Sequence, residues 1–208
     1  MDLHVWLAFA SASIALLLIP GPTVLLVLSY AISQGRRVAL ATVAGVALGD
    51  LIAMSASLAG LGALVLASAS LFLVLKGVGA ISLVYLGIKL FRSAPAASLG
   101  VLDDAPAATP RKVFAHSAAV TALNPKSIVF FIAFVPQFID TDAALAPQFG
   151  VLVATFVGFA AINALGYAIL ADKLRQKIAR PHVLPFLTRL GGGALVAMGV
   201  ATAAIRRA

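Results

Sequence analysis

Few side chains in this sequence sit where they would do chemistry away from water. Asp50, in GVALGDLIAMS, is the one carboxylate in the interior of a long apolar run, and Lys126, in VTALNPKSIVFFIAF, is a cation at comparable depth in another. Asn124 and Pro125 directly precede Lys126. An earlier run, LLLIPGPTVLLVL, carries Pro20, Gly21, Pro22 and Thr23. Counted from Val38, Asp50 lies about 18 Å into a hydrocarbon layer of about 30 Å, at ~1.5 Å per residue. An ionisable group there costs roughly a few kcal/mol and by default marks a pathway or pairs with another. Asp50 is therefore a candidate proton carrier or counter-ion for a substrate amine. An Asp50 to Lys126 ion pair that holds helices together is the structural alternative.

Other chemistries find no residues. The chain has no cysteine, which removes thiol redox relays, disulfides and thiolate metal sites. Its three histidines are far apart and lack metal-ligand spacing, so no metal is expected. A cage for a metal cation as cargo wants several converging ligands, and one buried Asp beside a Lys is a poor one. No Gly-rich phosphate loop is present, hence no ATP-driven step. No Ser and His pair faces across mid-membrane positions, so no catalytic set and no cofactor are expected.

The elements that position these residues follow from composition. The chain of 208 residues is 62% hydrophobic and 11% charged, with a mean hydropathy of +1.09. That is a membrane protein, far from the soluble norm of about a quarter charged. The net charge of +8 does not point to nucleic acid, because the basic residues fall in the gaps between apolar runs. The N-terminus lacks the cationic start of a signal peptide and is read as a mature segment. Six runs reach the length of about 20 residues needed to span: Leu3 to Ile32, Val38 to Ala67, Leu71 to Phe91, Val113 to Ile139, Phe149 to Ala171 and Phe186 to Ile205. Trp6 and Tyr30 fit interfacial anchors, and Lys76 and Arg189 can snorkel to the interface.

The Pro- and Ala-rich stretch 93–112 divides the chain into two sets of three helices, 1–92 and 113–208, within one membrane domain. Arg36 and Arg37, then Lys89, Arg92, Arg111 and Lys112, then Lys173, Arg175, Lys177 and Arg180 occupy alternate connections. The others hold only Asp140 and Asp142. That pattern places the basic connections in the cytoplasm and both termini outside, although Arg206, Arg207 and Lys76 run against it.

The two sets resemble each other. LKGVGAISLVYLGI lies on LTRLGGGALVAMGV without gaps, matching Gly79 with Gly191, Leu83 with Leu195, Val84 with Val196 and Gly87 with Gly199. Gly21, Pro22 and Thr23 fall opposite Asn124, Pro125 and Lys126, and Asp50 falls near Asn163. Three helices is an odd number, so the second copy enters the membrane upside down, the inverted-repeat plan of secondary transporters. The expected fold is an all-α membrane protein of six spans, with the first and fourth interrupted.

Proline removes one N–H and frees the carbonyl four residues back. Pro20 and Pro22 free those of Leu16 and Leu18, and Pro125 frees that of Thr121. Such backbone survives in a bilayer only when protein or a water-filled cavity covers it. Each break also reads as a helix start, with Gly21 or Asn124 as cap and Pro22 or Pro125 at the first position. Two helix N-termini meeting at one point favour an anionic group such as a carboxylate. Gly21, Pro22, Thr23, Asn124, Pro125, Lys126 and Asn163 are thus the candidate binding residues, with Asp50 for the amine or the proton. Gly45 with Gly49, Gly79 with Gly87 and Gly158 with Gly166 suit close helix packing, within the chain or in a homo-oligomer.

In order and spacing, the PGP at Pro20 to Pro22, the closing GD at Gly49 and Asp50, the NPK at Asn124 to Lys126 and the FVPQF at Phe134 to Phe138 resemble the LysE/RhtB family of amino-acid exporters. The resemblance covers nearly the whole chain. It implies a bacterial inner-membrane exporter of amino acids or close derivatives, driven by the proton gradient.

Overall fold

A computed structural model of the chain describes residues 1–19, 21–67, 69–93, 109–171 and 183–204, with side chains except at 35, 36, 64–67, 69–73, 75, 76 and 184. Pro20, most of the 93–112 connection, Lys173, Arg175, Lys177, Arg180, Arg206, Arg207 and the side chains of Arg36 and Lys76 lie outside the described residues.

Within them every regular element is helical. They are α1 (Leu3–Leu18), α2 (Pro22–Ala67), α3 (Ala69–Ser93), α4 (Pro110–Ala122), α5 (Pro125–Ala133) with a 3-10 turn at Val135–Phe138, α6 (Leu145–Ile169) and α7 (Val183–Ala204). Three segments are each long and apolar enough to cross a bilayer: Arg37–Ala63, Leu145–Ile169 and Pro185–Ala204. Two pairs qualify only when joined across a bend, Leu3–Leu18 with Pro22–Gln34 at 56° and Pro110–Ala122 with Pro125–Phe138 at 44°. Among the described residues this gives three to five candidate spans. The expected run Leu71 to Phe91 falls inside α3, a helix of 25 residues.

One connection differs from expectation. The sequence reading leaves a gap after Ile32, yet α2 is helical through all its 46 residues, which as a straight rod would be about 69 Å long. Val27 and Val46 nevertheless share an apolar cluster with Ala164, and Tyr30 clusters with Val38 and Val113. The rod therefore doubles back around Gly35 and Arg36. No proline stands there to take an N–H out of the helical ladder.

The contacts fix relative directions. Gly45 approaches Phe114 and Ser117 while Gly49 approaches Ala118 and Thr121, so α2 beyond its turn runs parallel to α4. Gly87 meets Gly192 and Val196 while Gly199 meets Ala80 and Val84, so α3 and α7 are antiparallel. Trp6 Nε1 donates to Thr155 Oγ1 at 3.0 Å and Asn163 reaches Leu17, which makes α1 and α6 parallel. Lipid tails are as apolar as leucine, so helices associate here by close packing rather than by escape from water. Phe130, Phe131, Phe134 and Phe156 supply much of it, with Phe131 edge-on to Phe156 at 4.8 Å and Phe130 stacked on Phe134 at 5.2 Å. On the outside, Ile81, Leu123 and Ile162 are largely exposed, as a lipid-facing surface requires.

One minor expectation is corrected: Tyr30 is buried rather than interfacial, its hydroxyl paired with His116 Nδ1 at 2.9 Å. Gly158 and Gly166 have open space around them, so the close packing expected of them is not made within this chain. Arg189 is exposed, with its guanidinium 6.0 Å from the centre of the Phe91 ring.

Candidate functional site

At the break between α4 and α5 the backbone is satisfied locally. Leu123 N–H donates to Ala119 O at 3.0 Å and Asn124 N–H to Thr121 O at 3.1 Å, which uses the carbonyl that Pro125 leaves free. Asn124, with φ −69° and ψ 111°, caps α5 by accepting the Lys126 N–H on its Oδ1 at 3.1 Å. Pro125 takes the first helical position, where a missing N–H costs nothing.

The break between α1 and α2 is served from elsewhere. Lys126 Nζ donates to Leu16 O and Ile19 O, both at 3.1 Å. Asn163 Nδ2 donates to Leu17 O at 3.1 Å, and the Tyr167 hydroxyl to Leu18 O at 3.4 Å. Four successive carbonyls at the partly negative end of α1 thus receive donors from α5 and α6. α2 restarts with Leu25 N–H donating to Gly21 O at 3.0 Å.

The two breaks touch. Asn124 Nδ2 donates to Thr23 Oγ1 at 3.1 Å, and a Cβ on Gly21 would lie 3.4 Å from Lys126 Nζ. Between them is a cavity of about 30 Å³, which is room for about two waters. The first turns of α2 and α5 line it with Gly21, Thr23, Asn124, Lys126 and Ser127, and Asp50, Asn163 and Tyr167 complete its polar wall. Asp50 is 3% exposed. Among the described residues it has no hydrogen bond and no ion pair within 4 Å, so the Lys126 ammonium rests on helix carbonyls rather than on the carboxylate.

Of the predicted residues, the structure brings Gly21, Thr23, Asp50, Asn124, Lys126 and Asn163 to this one cavity. Pro22 and Pro125 start their helices but are exposed and stay off its wall; Pro20 lies outside the described residues. Sequence reasoning missed Tyr167 and Ser127. Tyr167 stands one helical turn beyond Asn163 and hence on its face, a spacing that signals it.

Close packing of α4 on α2 brings the second break to Asp50. A Cβ on Gly45 would lie 2.5 Å from Phe114 O, and one on Gly49 would lie 2.6 Å from Ala118 O. Asp50 follows Gly49 directly, so the approach that needs a bare backbone also brings the carboxylate to the cavity that Asn124 lines. Among the described residues no three His, Cys, Asp or Glu side chains converge.

Long apolar helices, two bent pairs and, between them, a largely apolar cavity into which a few polar side chains are set define a multi-pass membrane protein of transporter type. The family model for the LysE type translocator matches residues 14–205, and the chain belongs to that family. It is 35% identical over 200 residues to an uncharacterized membrane protein of Vibrio cholerae, covering 96% of this chain and 97% of that one. It is 32% identical over 208 residues to the homoserine/homoserine lactone efflux protein of Salmonella typhimurium, covering both chains entirely. To the leucine efflux protein of Klebsiella pneumoniae it is 32% identical over 138 residues, covering 66% of this chain and 65% of that one. No solved structure matches the chain.

Proposed function

We propose that this protein exports amino acids or close derivatives across the bacterial inner membrane by proton-coupled alternating access, with the central cavity as the cargo site. The observation that carries the reading is the meeting of both helix breaks with Asp50 at one cavity. Ends of both polarities converge there: the first turns of α2 and α5 favour a negative group, and the terminal carbonyls of α1 favour a positive one. A zwitterion suits that arrangement. In this reading Gly21, Thr23, Asn124, Lys126 and Asn163 bind cargo, Pro20, Pro22 and Pro125 shape the breaks, and Asp50 takes the cargo amine or the proton.

The relatives named above sharpen the cargo class. Homoserine, its lactone and leucine share a primary ammonium beside a carbonyl carbon, but the lactone has no free carboxylate. The ammonium is the feature we take as required, and the carboxylate as optional.

The architecture in this reading is six spans in two inverted repeats, 1–92 and 113–208, joined by 93–112. The α3 and α7 contacts support it. Shifting by the 112 residues that separate Gly87 from Gly199 turns the contact of Gly87 with Gly192 into that of Gly199 with Ala80, and the contact of Gly87 with Val196 into that of Gly199 with Val84. Reciprocal contacts between antiparallel helices are what a two-fold axis in the membrane plane generates. Gly21 with Asn124 and Thr23 with Lys126, each 103 residues apart, and Asp50 with Asn163, 113 apart, are the corresponding positions in the other helices at their own spacings, and all six line the cavity. For orientation, we place the basic connections in the cytoplasm and the termini outside. A cleft of about 300 Å³ puts Met1 and Asp2 beside Asp140 and Gln148, at one end of the molecule, as that requires.

Counterflow of labelled amino acids in proteoliposomes, with and without a pH gradient, tests the reading. Asp50→Asn is expected to lower efflux at least about a hundredfold while the protein still inserts and folds, a loss in line with removing a buried group on the transport path. Full efflux by that variant would defeat the role of Asp50.

A further inference from the structure

We propose that Leu16 O and Ile19 O, together with Asp50, form a subsite for a primary ammonium, and that Lys126 is a tethered occupant which the cargo's own ammonium displaces. The inference rests on the reading that this cavity takes an ammonium-bearing cargo.

Three observations carry it. Lys126 Nζ already demonstrates the chemistry, since an alkylammonium sits here on two helix-terminal carbonyls at 3.1 Å each. These acceptors lie at the negative end of α1, where a cation is favoured, and Asp50 stands in the same cavity wall, 3% exposed and without a hydrogen-bond partner among the described residues. A buried carboxylate of that kind wants a cation. The cavity, finally, is about 30 Å³, whereas pockets for small organic ligands run from about 300 Å³ upward. A cargo enters only if a wall group leaves. Lys126 is the wall group with a long, rotatable stem and the same charged head as the cargo.

Displacement leaves the rest of the α1 end in place. Leu17 O and Leu18 O keep their donors, Asn163 and Tyr167, on a separate helix. The freed Lys126 ammonium then meets the cargo's carboxylate when there is one, and otherwise shares Asp50 with the cargo ammonium. A cargo must therefore present N–H donors; a quaternary ammonium offers none.

Methylammonium is the minimal probe. With the full-length protein in lipid nanodiscs, thermal unfolding is followed against methylammonium chloride and tetramethylammonium chloride at equal ionic strength, for wild type and Lys126→Ala. Removing the tethered competitor should lower the half-saturating methylammonium concentration at least about tenfold, as vacating a blocked site does, with no saturable response to tetramethylammonium. Equal half-saturation in both proteins, or an equal response to both cations, overturns the proposal.

Should Lys126→Ala not fold, competition on the wild-type protein decides. An amino-acid amide, with ammonium but no carboxylate, should compete with the labelled amino acid within about tenfold of the parent. The N-acetyl and 2-hydroxy analogues should be at least about a hundredfold weaker, since a site built to pair a donor rejects a ligand without it. The reverse order overturns the subsite. If no amino acid is transported at all, the export reading fails by itself, and the methylammonium titration still decides the subsite.

Discussion

At the break between α4 and α5 the chain looks after its own ends: Asn124 caps forward onto Lys126 and donates back to Thr121, two and three residues away. At the break between α1 and α2 the sequence offers only Ile19, Pro20 and Gly21, none with a side chain able to cap. Its carbonyls take donors from Lys126, Asn163 and Tyr167, more than a hundred residues on. The helices around the two breaks differ in the same sense. α4 lies against α2 through Gly45 and Gly49 with backbone nearly touching, whereas α1 is joined to α6 by hydrogen bonds, and Gly158 and Gly166 on α6 meet nothing within 4 Å. Both broken spans are packed, α1 through Phe9 and Leu16 in the core and Ile19 against Gly191, but only the first break also depends on polar contacts from distant residues. Those contacts are the ones that can exchange as a site opens.

The largest effect should come from Lys126→Ala, which strips the first break of its two charge-assisted bonds and leaves Asp50 without a cation in its cavity. A hydrogen bond made by a charged group is worth about 1.5–3 kcal/mol, and relief from burying the ammonium offsets part of the loss of two. We expect a net loss of about 3 kcal/mol by SDS titration in mixed micelles, together with loss of counterflow. A variant as stable as wild type would mean that the first break is held by something other than these donors.

Next comes a matched pair of glycine substitutions. Gly49→Ala would drive a methyl group against Ala118 O, backbone that cannot swing aside, and overpacking of this kind costs about 1–3 kcal/mol. The displacement would also shift α4, and with it the second break, relative to the cavity, so counterflow should fall with stability. Gly158→Ala meets open space and should change stability by less than about 0.5 kcal/mol. Equal costs at the two positions would erase the contrast between the helix faces around the two breaks.

The same contrast explains how much was legible in the sequence. The second break was readable, because Asn, Pro and Lys in succession carry a cap, a helix start and a buried cation within three residues. Asp50 was readable because a carboxylate in an apolar run is costly wherever the chain folds. The partners of the first break were not, since nothing local ties Leu17 to Asn163 or Leu18 to Tyr167. Only the tertiary arrangement of α1 on α6 joins them. For Lys126 the sequence suggested Asp50 as partner on grounds of charge, while helix-end carbonyls, which no side-chain pattern announces, proved to hold the ammonium. The reversal inside α2 was legible as the basic gap between Ile32 and Val38, whereas its staying helical was not, since no side-chain pattern there announces a bent helix rather than a loop.

The smallest effect isolates a single polar tether. Tyr167→Phe removes only the hydroxyl, whose bond to Leu18 O is long at 3.4 Å, and hydrogen bonds between membrane helices average about 0.6 kcal/mol. We expect a loss of about 0.5 kcal/mol or less, near the limit of detection by SDS titration. Counterflow is the more telling readout. If the polar contacts of α1 with α6 are those that exchange during transport, weakening one of them shifts the balance between open and closed forms and changes the rate at saturating cargo more than the half-saturating concentration. A change confined to the half-saturating concentration would instead make Tyr167 a cargo contact, and the first break would then be part of the binding wall on both of its faces.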